Sequence, residues 1–495
     1  MRYFPIYSFV IFIAACLPPE KGMAQKHYSM EELVERAKEQ SLPARIARNS
    51  AMSGYWDFVS YKASLNPNVS LSGTIPSYQR SISKITLPNG SDVFVSSDQA
   101  YNSVNLNINQ NVVLTGGVLS VYSSLNRIDV FSPDKSRQYS TVPFSIYYSQ
   151  NSLFYNPFKW QKQIAPMQLE ESKKTFIEDM EGVSLTTVDI CFRYLSAQNQ
   201  INIDIQNYLN ADTLLKITQT KFNIGTRDKN DLLQARLNLL NAKNNYAQDI
   251  VMKEQARQSF VQFFRMSGAD SILLATPDEV DLFDIDLKRA LSEAGKNRQK
   301  VVEFRRRRLL AEQNLRKTIS DASPNLNVSA NLGASQTNRQ LLQAYSNLQQ
   351  QQSVYLQVNI PLLDWGVNRS RIKKARADLE LAKISIEQEK EGFEQEIVFQ
   401  IMQWNALKDQ LKIARETMEI GLERYDIAKQ RYILGSINFT EFNGAQQQKD
   451  GVIYSYINSL RTYWTAYYQI RKLTLYDFVK QAPIQYEVRP SHFSY

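Results

Sequence analysis

Few residues of this chain could do covalent chemistry. Its two histidines, His27 and His492, lie near opposite ends, so the body offers none for a metal or an acid–base pair. Two cysteines cannot frame a disulfide-held fold: Cys16 falls in the leader, and Cys191 sits in an apolar helical stretch and reads as a small buried hydrophobe. No nucleophile–base pair or metal-ligand constellation emerges, and an enzyme is the least favoured class. The net charge of +9 raises nucleic acid as a partner, but 49 acids accompany the basic residues. Only Arg305 to Arg308 form a dense basic run, with no binding motif around it, so it reads as a solvated helix face. The acids that stand out are Asp231 and Glu441, because they hold the same place in two copies of one pattern. Each lies near a helix start, where an acid is also favoured locally by the helix dipole.

The pattern is an internal repeat. Leu153 meets Leu363 at a shift of 210 positions, and the register then holds without a gap for about 80 residues. Lys173 meets Lys383, Val188 meets Val398 and Tyr194 meets Trp404. Lys221-Phe222 then meets Arg431-Tyr432, Gly225-Thr226 meets Gly435-Ser436, Asp231 meets Glu441, and Ala235 meets Ala445. A dozen matches in one register, centred on a glycine, indicate duplication. We divide the chain into a leader (1–24), a first repeat (25–284), a second repeat (285–478) and a tail (479–495).

The elements that must position the repeated acids come in the same order twice. Each repeat opens on a helical stretch, Glu31 to about Leu65 and Asp286 to about Ala322, followed by a proline, Pro67 or Pro324. Strict alternation follows, with Val69, Leu71 and Gly73 against Asn68, Ser70 and Ser72, and with Leu326, Val328 and Ala330 against Asn327 and Ser329. Period-two alternation marks a strand with one apolar and one polar face. Strands are expected at about 67–82, 103–150, 324–336 and 352–361, about four per chain, or more if an extra hairpin joins them. An extra hairpin near 104–126, turning at Leu114-Thr115-Gly116-Gly117, has no counterpart in the second repeat. Alternation fits a solvated antiparallel sheet or a membrane barrel. Phe144, Tyr147, Tyr148, Phe154 and Trp160 crowd one strand end and Trp365 marks the matching one, as rings do at a membrane interface.

Long helical hairpins follow, at 153–264 and 365–476. From Ile401 the apolar positions Trp404, Leu407, Leu411, Ala414, Met418, Tyr425, Ala428 and Tyr432 step by three and four, a coiled-coil seam. Such a helix would be on the order of 100 Å long and needs partners to cover its seam. Gly225 and Gly435 each follow an apolar residue, Ile224 or Leu434, and precede a hydroxyl, Thr226 or Ser436. The glycine can end a helix in the left-handed conformation, and the hydroxyl can cap the next one. Asp364 reads as the cap of the helix after Pro361.

The first 25 residues read as an export signal: Arg2, the apolar run Ile6 to Ala15, and a small-residue site at Gly22-Met23-Ala24. Cleavage after Ala24 is the preferred reading; the alternative is a lipidated Cys16, because Ile13-Ala14-Ala15-Cys16 resembles a lipobox.

Helix, strand, strand, long helix, glycine turn, helix, written twice after a leader, resembles the TolC-like outer-membrane efflux protein family. The tips Asn223-Ile224-Gly225-Thr226 and Ile433-Leu434-Gly435-Ser436 are similar to that family's tips, and Pro361-Leu362-Leu363-Asp364-Trp365-Gly366 to its strand-to-helix junction. The resemblance covers about residues 29–478. It implies a mainly α fold with a transmembrane β-barrel, three protomers sharing the barrel and a periplasmic α-helical tunnel, and no cofactor. It also implies an adaptor (membrane-fusion) protein docked on the helix tips and an inner-membrane pump beyond it. By position, Asp231 and Glu441 match acids of the periplasmic constriction, and Tyr432 matches a tip tyrosine that holds the closed state. Tyr432 reads equally as a seam residue. Gly444 stands where a second acid is expected, Ile437 where an arginine can latch the neighbouring helix, and Arg227 at the equivalent place in the first tip. The competing class is a periplasmic coiled-coil protein without a pore, for which the alternating strands would have no use.

Overall fold

The computed structural model describes residues 26–132, 134–226, 228–266, 272–277 and 283–486. The leader, Cys16, Arg227 and the end of the tail lie outside them. The described chain divides into two compact units: up to Arg45 with Glu181–Asp284 and Gln403–Gln469, and Ile46–Met180 with Ile285–Met402 and Ile470 onward.

In chain order the first repeat gives β1 (Lys26–Tyr28), α1 (Met30–Gln40), α2 (Leu42–Ala63), β2 (Asn68–Thr86), β3 (Asp92–Val112), β4 (Gly117–Ser132), β5 (Ser136–Gln150), α3 (Pro157–Asn223) and α4 (Lys229–Phe264). After β6 (Ile272–Leu274) the second gives α5 (Leu287–Asn297), α6 (Gln299–Ala322), β7 (Asn325–Asn338), β8 (Gln349–Asn359), α7 (Val367–Ile433) and α8 (Phe439–Thr474), then β9 (Tyr476–Asp477) and β10 (Ala482–Pro483). The duplication is visible in lengths: α3 and α7 both have 67 residues, and α4 and α8 both have 36.

Each opening helix is broken in two. Pro43 cannot continue a helix from the preceding turn but fits a first turn, and buried Ser41 accepts the Ala44 amide at 3.3 Å to start α2. The break between α5 and α6 falls at Arg298, whose backbone is extended. Its guanidinium is held by Glu178 at 3.4 Å and by the Phe393 ring at 4.9 Å. The arginine run that follows is paired: Arg306 with Glu171 at 2.6 Å, Arg307 with Glu389 at 2.7 Å, Arg308 with Glu312 at 2.9 Å.

The sheet of the second unit has six antiparallel strands in the order β2-β3-β4-β5-β7-β8, so the extra hairpin joins it. The extra hairpin of the first repeat is β3–β4, inserted between the strands that correspond to β7 and β8. Prolines within the strands fall where the ladder is already interrupted: the register shifts between Thr74 and Ser77, around Pro76, and between Thr141 and Phe144, around Pro143.

In the helical unit the seam is buried as its period demands. Trp404, Leu407, Leu411, Tyr425 and Tyr432 are buried, and Trp404 stacks on Tyr463 of α8 at 4.9 Å. Tyr194, its counterpart in α3, packs on Phe260 of α4 at 5.3 Å. Each of the pair also fixes the segment between the repeats: Tyr194 Oη donates to the Ile272 carbonyl and Trp404 Nε1 to that of Phe283, both at 3.0 Å. Cys191 is buried beside them, and burial pushes its thiol pKa up. Gly421 allows α7 and α8 to approach, since a Cβ there would lie 2.6 Å from Val452 Cγ2.

Candidate functional site

The two helix tips are built alike. Gly225 and Gly435 have φ of 76° and 79°, a region that L side chains rarely adopt. The Gly225 amide donates to Phe222 O and that of Thr226 to Lys221 O, each at 2.9 Å. In the second tip the Gly435 amide donates to Tyr432 O at 3.0 Å and that of Ser436 to Arg431 O at 2.9 Å. This is a Schellman closure, which satisfies the last carbonyls of α3 and α7. The expected capping role of the tip hydroxyl is corrected. Thr226 Oγ1 donates back to Lys221 O at 2.9 Å, and Asp228 and Asn438 cap α4 and α8 instead. The Thr226 hydroxyl is thus committed to the end of α3 and not to the start of α4. Ile224 is 69% exposed and Leu434 80% exposed, so both tips present a bare apolar residue.

Asp231 and Glu441 fall in the first turns of α4 and α8, three residues after their caps. The Asp231 amide donates to Asp228 Oδ1 and the Glu441 amide to Asn438 Oδ1, both at 2.8 Å. Asn438 Nδ2 returns a hydrogen bond to Glu441 Oε1 at 3.1 Å. The local role of Glu441 is thus realised within one chain, while its exposed carboxylate remains open to a neighbour. Tyr432 is buried with Leu214, Tyr425, Ile437, Phe439 and Phe442. It stacks on Phe442 at 5.2 Å, and its hydroxyl lies 3.5 Å from that of Thr218 in α3. Ile437, at the position of the expected latch arginine, is part of this cluster: apolar packing stands where an ion pair could have been. The tips are neighbours, since a Cβ at Gly435 would lie 3.9 Å from Lys221 Nζ.

Further along these helices, Asp204 of α3 is only 4% exposed. Gln200 Nε2 donates to one of its oxygens at 3.2 Å. Asp249 of α4 lies against it and Asp450 of α8 nearby, the latter accepting from Asn207 Nδ2 at 2.8 Å. Burial, then Asp249 and Asp450, pushes its pKa up to about 7. A folded-state proton held where the unfolded chain has released it makes stability fall as pH rises from about 4 toward 7. Asp204→Asn is therefore expected to raise the melting temperature at pH 8 and to flatten its decline between pH 4 and 7. Thermal melts of both proteins across that range check this; an unchanged pH profile would contradict it.

The sheet carries the second candidate surface. Cross-strand pairing aligns the apolar residues into rows: Val69 with Ile108, Ile108 with Val121, Val121 with Ile146, Ile146 with Leu332. Leu71 is 73% exposed and Val354 77% exposed, so the apolar face is bare toward both edges. At the strand-to-helix junction Phe154, Leu362, Leu363 and Trp365 are also exposed. Asp364 does cap α7, accepting from the Gly366 amide at 2.9 Å and the Asn368 amide at 2.8 Å, and these amides, Asn368 first, lower its pKa. On α7, Ile413, Ile420 and Ile427, and Leu434 just past its end, recur every seven residues, 62%, 66%, 51% and 80% exposed. This is a second coiled-coil stripe, uncovered among the described residues. Among the described residues no helix is long and apolar enough to cross a membrane, and no group of three acids, histidines or cysteines could hold a metal.

Residues 290–474 match the family model described as outer membrane efflux protein. The second repeat carries an outer membrane efflux protein domain. Solved structures extend the likeness of fold to 90% or more of the chain. The Campylobacter jejuni CmeC outer membrane channel matches with a TM-score of 0.64 at 15% identity, over 93% of this chain and 87% of that one. A membrane protein from Pseudomonas aeruginosa matches with 0.63 at 15%, over 90% of each chain. The Vibrio cholerae outer membrane protein VceC matches with 0.62 at 11%, over 90% and 95%. No curated protein matches the chain. In this fold, the residues that sequence reasoning missed are Asp204, the Ile437–Phe442 cluster and the stripe from Ile413 to Leu434. The seven-residue recurrence of the stripe was readable; nothing in sequence marks Asp204, an acid whose burial depends on two other helices.

Proposed function

We propose that the protein is the outer-membrane exit duct of an efflux or secretion system, assembled from three copies. The observation that carries this is the six-stranded sheet, which has a bare, mainly apolar face and, among the described residues, ends at β2 and β8 without partners. Open edges are not tolerated in lipid, so closure requires other copies of the chain. The family match over residues 290–474 supports the reading, and the bare heptad stripe on α7 gives the helical unit a surface for a neighbouring copy. A periplasmic coiled coil would leave such a sheet unused.

In this reading the chain performs no covalent step; it encloses a path. The bare Ile224 and Leu434 at the tips, with Gly225, Thr226, Gly435 and Ser436, form the docking surface for a periplasmic adaptor linked to an inner-membrane pump. Tyr432 holds the tip closed from inside the aromatic cluster. Three copies of Asp231 and Glu441 line the constriction, where like charges repel one another and a divalent cation would relieve the repulsion. Replacing both acids with Ala is expected to weaken cation preference and block by multivalent cations in planar bilayers, while assembly stays intact. Unchanged selectivity and block would return both residues to their capping role alone.

A further inference from the structure

We propose that the inserted hairpin β3–β4 belongs to the transmembrane wall, so that three copies close a barrel of eighteen strands around an uncharged, amide- and hydroxyl-lined lumen. This rests on the three-copy duct above and specifies its bore. β3 pairs with β2 along nearly its whole length and β4 pairs with β5, so the hairpin lies within the sheet and is not folded over it. Its faces also agree with those of its neighbours. Val104, Leu106 and Ile108 share a face with Gly73, Leu71 and Val69 on one side and with Leu125, Ser123 and Val121 on the other. The opposite face repeats the agreement in polar residues: Asn107 lies between Ser70 and Tyr122, and Asn109 between Asn68 and Ser120.

A one-residue slip would have turned the asparagines of β3 toward the apolar side. The register that exists keeps one face mainly apolar near the helix-connected ends of the strands, broken by Ser123 opposite Leu106 and by Gln352 opposite Leu332. Polar side chains facing lipid would go unsatisfied; on this sheet they bond across strands instead, as Ser120 Oγ does to Asn109 Oδ1 at 2.7 Å. The ion pairs of the sheet lie away from the helix-connected ends of the strands. Lys84 pairs with Asp92 beside the β2–β3 turn, and Asp129 with Arg137 beside the β4–β5 turn. By strand alternation these charges stand on the face of Leu106 and Leu125, beyond its apolar stretch, and the opposite face is asparagine, serine and glutamine in the main.

Barrel diameter grows roughly linearly with strand number, so eighteen strands give a bore about half as wide again as four strands per copy would, in the range of water-filled porins. Such a barrel sorts cargo neither by charge nor by modest size. Selection then falls to the helix tips, and the wall accommodates bulky polar cargo.

The test uses full-length protein in liposomes, with nitroxide labels on single cysteines at 106 and 121 (Leu106→Cys, Val121→Cys) and at 107 and 120 (Asn107→Cys, Ser120→Cys). The particle mass is measured in detergent for each. The expected result is a trimer in which lipid-dissolved oxygen relaxes the labels at 106 and 121 more than a water-soluble nickel chelate does, with the order reversed at 107 and 120. A trimer with all four labels open to the chelate overturns the eighteen-stranded wall and leaves the duct standing. A stable monomer overturns the duct reading and the strand number with it.

Discussion

Leu106→Arg is expected to abolish the outer-membrane form of the protein, while Asn107→Arg, one residue along the same strand, is expected to leave it largely intact. Leu106 lies on the apolar face of β3, opposite Leu71 in β2 and Ser123 in β4, six residues from the helix-side end of its strand. On a strand tilted by about 45° that distance reaches roughly the middle of the hydrocarbon layer. An arginine there costs about 2–4 kcal/mol per copy, and the proposed trimer would bear it three times over. Asn107 faces the opposite side, among Ser70 and Tyr122, where a charge meets water. Heat-resistant oligomer on unboiled gels of isolated outer membranes measures both. Equal tolerance of the two substitutions would mean that neither face meets lipid.

The second large effect belongs to the tip. Phe442 is 1% exposed, stacked on Tyr432 at 5.2 Å and tilted against Tyr425 at 6.0 Å. Removing its ring in Phe442→Ala leaves a cavity that costs about 3–5 kcal/mol, because the surrounding helices cannot collapse fully into it. The cluster is the packing that holds the ends of α7 and α8 against α3 through Leu214. The expected outcome is a lower melting temperature together with a higher and noisier conductance in planar bilayers. Tyr432→Phe keeps the ring and removes only the contact with Thr218, so it should change both far less. A destabilised Phe442→Ala channel with unaltered conductance would make the cluster structural glue without a part in closure.

The difference between what was legible in sequence and what was not follows the range of the interactions. The duplication, the glycine tips, the seam through Trp404, Leu411 and Tyr432, and the strand faces were readable because each depends on period or on local backbone chemistry. The Schellman closures at Gly225 and Gly435 are set by residues within five positions. The capping of α4 was misassigned to Thr226 because two candidate residues, Thr226 and Asp228, stand within reach of one helix start, and only turn geometry chooses between them. Strand number stayed open, four or more, because alternation identifies strands but not their neighbours; β3–β4 could have lain outside the sheet until its register was seen. The Ile437–Phe442 cluster required knowing that α3 passes beside α7 and α8, contacts of more than two hundred positions in sequence, as Thr218 with Tyr432 illustrates.

The most direct test of the central claim is where the exported chain resides. Outer membranes are isolated from cells expressing the full sequence, washed with high salt and alkaline carbonate, and probed for the protein beside the soluble periplasmic fraction. The expected result is retention in the washed outer membrane, because a closed barrel is held by apolar burial and not by charge. Recovery in the soluble periplasm would contradict the duct and return the protein to the class of periplasmic coiled coils.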